Sequence, residues 1–185
     1  ENAGLRVWNG SDRASAVLSQ RLAQGSVARK VFFASFPDGN TLVVERLFAR
    51  KDITVESLRQ GYLHIINEKF ACAGADGKAR RTLYYPGGEK TFFGFPTRNP
   101  EDDIVLSLDR PAWVNIDDRM SLFFQGSGAT RYTNRHYFRV WHAIADDLEL
   151  SVQDGVKSFS KGALIGELTT LICPGQKHGD IKGNP

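Results

Sequence analysis

Lys30-Val-Phe-Phe-Ala-Ser-Phe36, Pro37-Asp-Gly-Asn40 and Thr41-Leu-Val-Val-Glu-Arg-Leu47 decide the fold. Two runs rich in β-branched and aromatic residues flank a four-residue turn. Pro37 presets φ for the turn and Gly39 can take φ > 0. This is an antiparallel β-hairpin, and its strands are long.

The same signature recurs along the chain. Leu5–Trp8, Val27–Phe36, Tyr62–Glu68, Arg80–Tyr85, Thr91–Phe95 and Ile104–Leu108 read as strands. So do Trp113–Asp117, Ser121–Gln125, Tyr137–His142, Leu148–Val152 and Ala163–Cys173. Gly, Pro, Asn or Asp bounds most of them, with turns every ten residues or so. Asp154-Gly155 marks a further turn. The expected fold class is all-β: an antiparallel β-sandwich of two packed sheets with at most one short helix. That helix is expected over Asp12–Gln24, capped by Ser11, with Ala14, Val17, Leu18 and Leu22 on one face and Gly25 beyond its end. A strand over Ser15–Leu22 stays open. Thr54–Arg59 reads as one helical turn or an exposed strand. The expected core is Phe32, Val43, Leu47, Ile65, Val114, Leu122, Phe124, Val140, Leu148 and Leu171.

The chain has 185 residues and 18 Gly, and its 12 Phe, 5 Tyr and 3 Trp are a heavy aromatic load. The length suits one domain, expected over 1–176, with 177–185 as a polar, Gly/Pro-rich tail or linker. A net charge of +3 is too balanced to argue for nucleic-acid binding. No run approaches the ~18 consecutive apolar residues of a membrane helix. Glu1 opens without a basic or apolar leader stretch, which leaves room for one already removed. Asn9-Gly10-Ser11 is a glycosylation sequon of low specificity. Cys72 and Cys173 lack the C-x-x-C spacing of zinc or redox sites, so buried thiols or one long-range disulfide remain the readings.

The densest polar-aromatic stretch is Thr130–His142. As a strand it places Arg135, Tyr137, Arg139 and Trp141 on one face, with His136 and His142 on the other. Aromatic rings stack on the C–H faces of sugars, and guanidinium groups bind hydroxyls or carboxylates. Arg135, Arg139 and Trp141 are therefore the candidate substrate-binding residues. Tyr132, His136 and Tyr137 are the candidate bases of a catalytic strand. A half-exposed strand whose aromatics pack between Arg stems is the competing reading. His136 and His142 lie about 20 Å apart along an extended chain, too far to share a metal. No metal site and no cofactor is expected: zinc spacings, G-x-S-x-G, the P-loop and G-x-G-x-x-G are all missing. Asp102-Asp103, Asp117-Asp118 and Asp146-Asp147 read as turn caps, because adjacent carboxylates on a strand point to opposite faces.

Trp113-Val-Asn-Ile-Asp-Asp-Arg-Met-Ser-Leu-Phe-Phe124 resembles a strand–turn–strand pattern of β-sandwich modules in polysaccharide-degrading enzymes. Thr41–Ala49 and Ala163–Cys173 followed by Pro174-Gly-Gln look similar to strands of such modules. Asn115-Ile-Asp117 lacks the His that some lyase members carry there. The resemblance implies an accessory module: it would pack on a catalytic domain, or on another chain, of a larger polysaccharide lyase or glycoside hydrolase, and lend groups to a glycan site. A secreted or periplasmic location goes with it. The alternatives are a small lyase or hydrolase with its site on the 132–142 strand, and a free-standing glycan-binding or assembly module.

Overall fold

Alternating and β-branched runs dominate the chain, and in the computed structural model they form thirteen described strands. The structure describes residues 3–67, 80–93, 104–107, 112–126, 129–137 and 143–181. The strands are β1 (Gly4–Asn9), β2 (Ala14–Leu22), β3 (Val27–Ser35), β4 (Thr41–Ala49), β5 (Ile53–Asn67), β6 (Arg80–Tyr85) and β7 (Gly88–Phe93). There follow β8 (Ile104–Ser107), β9 (Ala112–Ile116), β10 (Met120–Gly126), β11 (Ala129–Tyr137), β12 (Ala143–Phe159) and β13 (Leu164–Pro174). One large sheet runs β1-β2-β3-β4-β13-β10-β9-β6-β7, and a smaller one runs β5-β12-β11-β8. Every described pairing is antiparallel. The all-β expectation holds.

The β3–β4 hairpin forms as its turn residues dictate. Gly39 takes φ +86, its N–H donates to the Phe36 carbonyl, and Asp38 Oδ1 accepts from Asn40 N–H. Pro86-Gly87 closes β6–β7 in the same manner, with Gly87 at φ +89. Asp12–Gln24 is not a helix. Ala14–Leu22 is strand β2, hydrogen-bonded to β1 on one side and β3 on the other. Two ladders outweigh a helical spacing of four apolar residues, since strand formation follows its neighbours more than its propensity. Thr54–Arg59 belongs to β5, which continues through Gly61 at φ +64. Asp154-Gly155 is not a turn between strands but a bulge inside β12, with Gly155 at φ +98 where the register shifts. One type of bulge places its extra residue in the left-handed conformation that glycine takes freely.

The core lies between the sheets. Leu83, Val114, Ile116, Leu122, Phe124 and Leu168 form one cluster, reached by Leu106 of the small sheet. Leu47, Ala49 and Ile165 form a second, packed against Ile53, Val55, Leu58 and Phe159 of the small sheet. Of the expected core, Leu47, Val114, Leu122 and Phe124 are buried. Ile65, Val140 and Leu148 fall outside the residues whose side chains are described. Phe32, Val43 and Leu171 are only half-buried. Phe32 and Leu171 are out of phase with the core: both lie on the outer face, because Leu47 and Leu168 fix the inner one. The hairpin is apolar on both faces, so alternation alone cannot set its phase. A charged residue takes a core position instead: Glu45 is buried and accepts from Arg29 Nε at 2.7 Å.

The outer face of the large sheet carries an in-register row across five strands: Ala34, Leu42, Leu171, Phe123 and Trp113. All but Ala34 are half-buried, and none belongs to either core cluster.

Candidate functional site

Tyr132, Arg135, His136 and Tyr137 all lie on β11. β12 flanks them in the register Tyr132↔Leu148, Arg135↔Ala145, His136↔Ile144 and Tyr137↔Ala143. β8 reaches only as far as Tyr132, opposite Ile104. From Thr133 onward β11 therefore has β12 alone beside it among the described strands. Arg139, Trp141 and His142 lie outside the described residues.

The structure gathers a different polar cluster, at the β9–β10 turn. Asp117 and Asp118 have φ of +53 and +58, and the Arg119 N–H donates to the Ile116 carbonyl at 2.9 Å. Two consecutive left-handed residues make a tight hairpin turn, and Asp tolerates that conformation better than most. Both carboxylates accept from backbone groups far along the chain, in place of the local turn caps expected of them. Asp117 Oδ1 accepts from Thr82 N–H at 2.7 Å, and Asp118 Oδ1 accepts from His178 N–H at 2.7 Å.

Asn115 holds the turn from beneath. Its side chain is fully buried. Nδ2 donates to Ser121 Oγ and to the Gln176 carbonyl, both at 2.8 Å, and Oδ1 accepts from Asp118 N–H at 2.9 Å. Gly175 N–H donates to the Arg119 carbonyl. These bonds steer the chain after β13 back across the turn and deliver His178. Its Nδ1 lies 2.6 Å from Asp118 Oδ1, and its ring stacks on Tyr84 with centroids 3.8 Å apart and planes 4° from parallel.

The electrostatics follow from these contacts. The two hydrogen bonds from His178 hold the Asp118 carboxyl below its ordinary 3.8. Burial, and after it the Asp118 carboxylate, pushes the Tyr84 phenol above 10.0. With Nδ1 committed to Asp118, Nε2 is the nitrogen left for another partner. An Asp-oriented imidazole of this kind can move a proton at Nε2. It also fastens the chain's last described residues onto the sheet. Asp118 and Asn115 sit in the Trp113–Phe124 stretch that stands out in the sequence. His178 is 60 positions away from Asp118, and no local spacing announces that pairing.

Because the folded pKa of Asp118 is depressed, the clasp adds stability above pH 3.8 and loses it as the pH falls through the lowered value. Asp118→Asn removes the charge and keeps a residue that tolerates φ +58. The gap in unfolding midpoint between wild type and Asp118→Asn is expected to close as the pH falls below 3.8. Thermal melts between pH 2 and 7 check this; a gap that does not change over that range would contradict it.

Among the described residues Cys173 is a free, buried thiol, and burial raises its pKa; Cys72, the other cysteine of the sequence, lies outside the described residues. Among the described residues, no group of three or more His, Cys, Asp or Glu could hold a metal ion.

No protein-family model and no curated protein sequence matches the chain. Solved structures do. The galactosidase domain of the α-galactosidase–sucrose kinase AgaSK matches with a TM-score of 0.56 at 8% identity, covering 93% of this chain and 27% of that one. Heparinase III, the BT4657 gene product, matches with a TM-score of 0.47 at 10% identity, covering 96% of this chain and 22% of that one. HI1317 matches with a TM-score of 0.48 at 8% identity, covering 90% of this chain and 62% of that one. The chain thus spans less than two thirds of each of these structures. The likeness to the galactosidase domain is one of fold.

Proposed function

We propose that this chain is an accessory β-sandwich module of a larger carbohydrate-active enzyme, packing on a catalytic domain and contributing to glycan binding. The observation that carries the reading is the extent of the likeness to the galactosidase domain, which takes in almost all of this chain and about a quarter of that one. A fold used as one part of a longer glycan-active chain suits a supporting role. On this reading Arg135, Arg139 and Trp141 hold sugar, and no base on β11 carries chemistry.

The isolated chain is accordingly expected to bind a polysaccharide from a panel of acidic and neutral glycans without cleaving it. Trp141→Ala and Arg139→Ala should each weaken that binding roughly ten- to a hundredfold, with the unfolding midpoint kept. Cleavage by the isolated chain, abolished by His136→Ala or Tyr137→Ala in a folded variant, would replace this reading with that of a small lyase or hydrolase. Unchanged binding in both variants would place the sugar elsewhere.

A further inference from the structure

We propose that the chain pairs with a second copy of itself through β1, joining two large sheets edge to edge across a two-fold axis. β1 ends the sheet: β2 takes one of its edges, and no described strand takes the other. All six of its residues are exposed, with Leu5 at 64%, Val7 at 59% and Trp8 at 51%. A strand edge with unpaired N–H and C=O groups beside large apolar side chains is a template for another strand. Proteins usually blunt such edges with proline, a bulge or several charges. β1 has no proline, its ladder with β2 is unbroken from Gly4 to Asn9, and its one charge is Arg6.

Symmetry and charge then select the register. Two antiparallel copies of one strand in a continuous sheet are related by a two-fold axis normal to that sheet. Such an axis keeps each face on its own side, so directly opposed residues have the same parity and the axis passes through one residue. Centred on Arg6, the pairing would set guanidinium against guanidinium, which is unfavourable across strands. Centred on Leu5 or Trp8, it would leave much of the strand unpaired. Centred on Val7, it opposes Val7 with Val7 on the inner face. On the outer face Arg6 of each copy then meets Trp8 of the other. The latter is a cation against an indole, made twice. β1 is therefore self-complementary in one register.

Sedimentation velocity and light scattering on the 185-residue chain, up to roughly 100 μM, test the inference. A reversible monomer–dimer equilibrium is expected. Val7→Lys puts two ammonium groups face to face at the axis, on a side chain already exposed. It should weaken dimerisation by at least roughly tenfold and leave the unfolding midpoint in place. Val7→Cys should crosslink to itself on mild oxidation, because opposed Cα atoms in an antiparallel pair lie about 4.5–5.5 Å apart, within the span of a disulfide. Trp8→Cys, offset by two residues from its own copy, should not; oxidised wild type controls for the native thiols. A monomer throughout, open polymers in place of a dimer, or a dimer that survives Val7→Lys would each overturn the proposal. None of these outcomes depends on whether the chain binds a glycan.

Discussion

Replacing Gly166 by alanine is expected to destabilise the fold by about 3 kcal/mol or more, and by valine still further. Gly166 lies on β13 opposite Leu47 of β4, on the face that meets the small sheet. β5 presses onto it there. A Cβ at this position would sit 2.2 Å from Gln60 Oε1 and 2.8 Å from Leu58 Cδ2. Both distances are shorter than any relaxed contact, and Gln60 is itself only 2% exposed, so it has little room to withdraw. The sheets must part locally or the side chains must leave their rotamers. For a chain of this size, a 3 kcal/mol loss lowers the unfolding midpoint by roughly 6–12 °C. Circular dichroism melts read it directly. The cause is tested by pairing Gly166→Ala with Gln60→Ala: the new methyl then enters the space that the amide vacates, and part of the loss should return as a coupling between the two sites. A Gly166→Ala protein melting with wild type would mean that the sheets stand further apart than this contact requires.

The close approach at Gly166 was not legible in the sequence, and the reason is general to sandwiches. Pairing within a sheet leaves local traces, whereas contact between sheets joins residues far apart in the chain. Pro37 and Gly39 announced the β3–β4 turn because turn chemistry is local. Ala14, Val17, Leu18 and Leu22 fit a helical face and a strand equally well, and only the ladders to β1 and β3 decide between them. Asp154-Gly155 carries a turn's residues, yet β5 runs alongside β12 on both sides of the bulge and keeps it one strand. Phe32 stands opposite Val44 on the outer face, and a hairpin apolar on both faces left that phase unreadable from alternation. The candidate site divides in the same way. Asp117 and Asp118 were readable as turn residues from their place between two strands. The histidine that Asp118 binds was not, since the C-terminal chain must first cross the sheet.

Asn115→Ala should cost about 3–5 kcal/mol, because it breaks three hydrogen bonds made by a fully buried side chain. The asparagine is fully buried, and so is Ser121, the hydroxyl to which it donates. Its other partners are the Gln176 carbonyl and the Asp118 N–H. Alanine removes the partner of all three, and a buried polar group deprived of its partner costs roughly 1–3 kcal/mol. The consequences reach past stability. Asp118 sits at φ +58, a conformation that the bond from its N–H to Asn115 helps to hold. Once that bond is gone, the turn can relax and the carboxylate no longer faces the His178 ring. The Gln176 carbonyl loses its tether at the same time, and with it the path that carries His178 onto Tyr84. The variant is thus expected to unfold at a lower temperature and to lose the acid-sensitive part of its stability that Asp118 supplies. Asn115→Asp is the sharper control. It can still accept from the Asp118 N–H, but at neutral pH it turns an acceptor toward the Gln176 carbonyl and buries a charge beside Asp118. It should therefore be at least as damaging near neutrality and should partly recover as acid protonates the new carboxylate. Melts of the two variants across pH 3–7 separate the outcomes: a deficit for Asn115→Ala that narrows only at the acid end, where wild type loses the Asp118 clasp, and a deficit for Asn115→Asp that shrinks more steeply as its own carboxylate protonates, would place this asparagine as the fastening of the turn, whereas matching profiles would not.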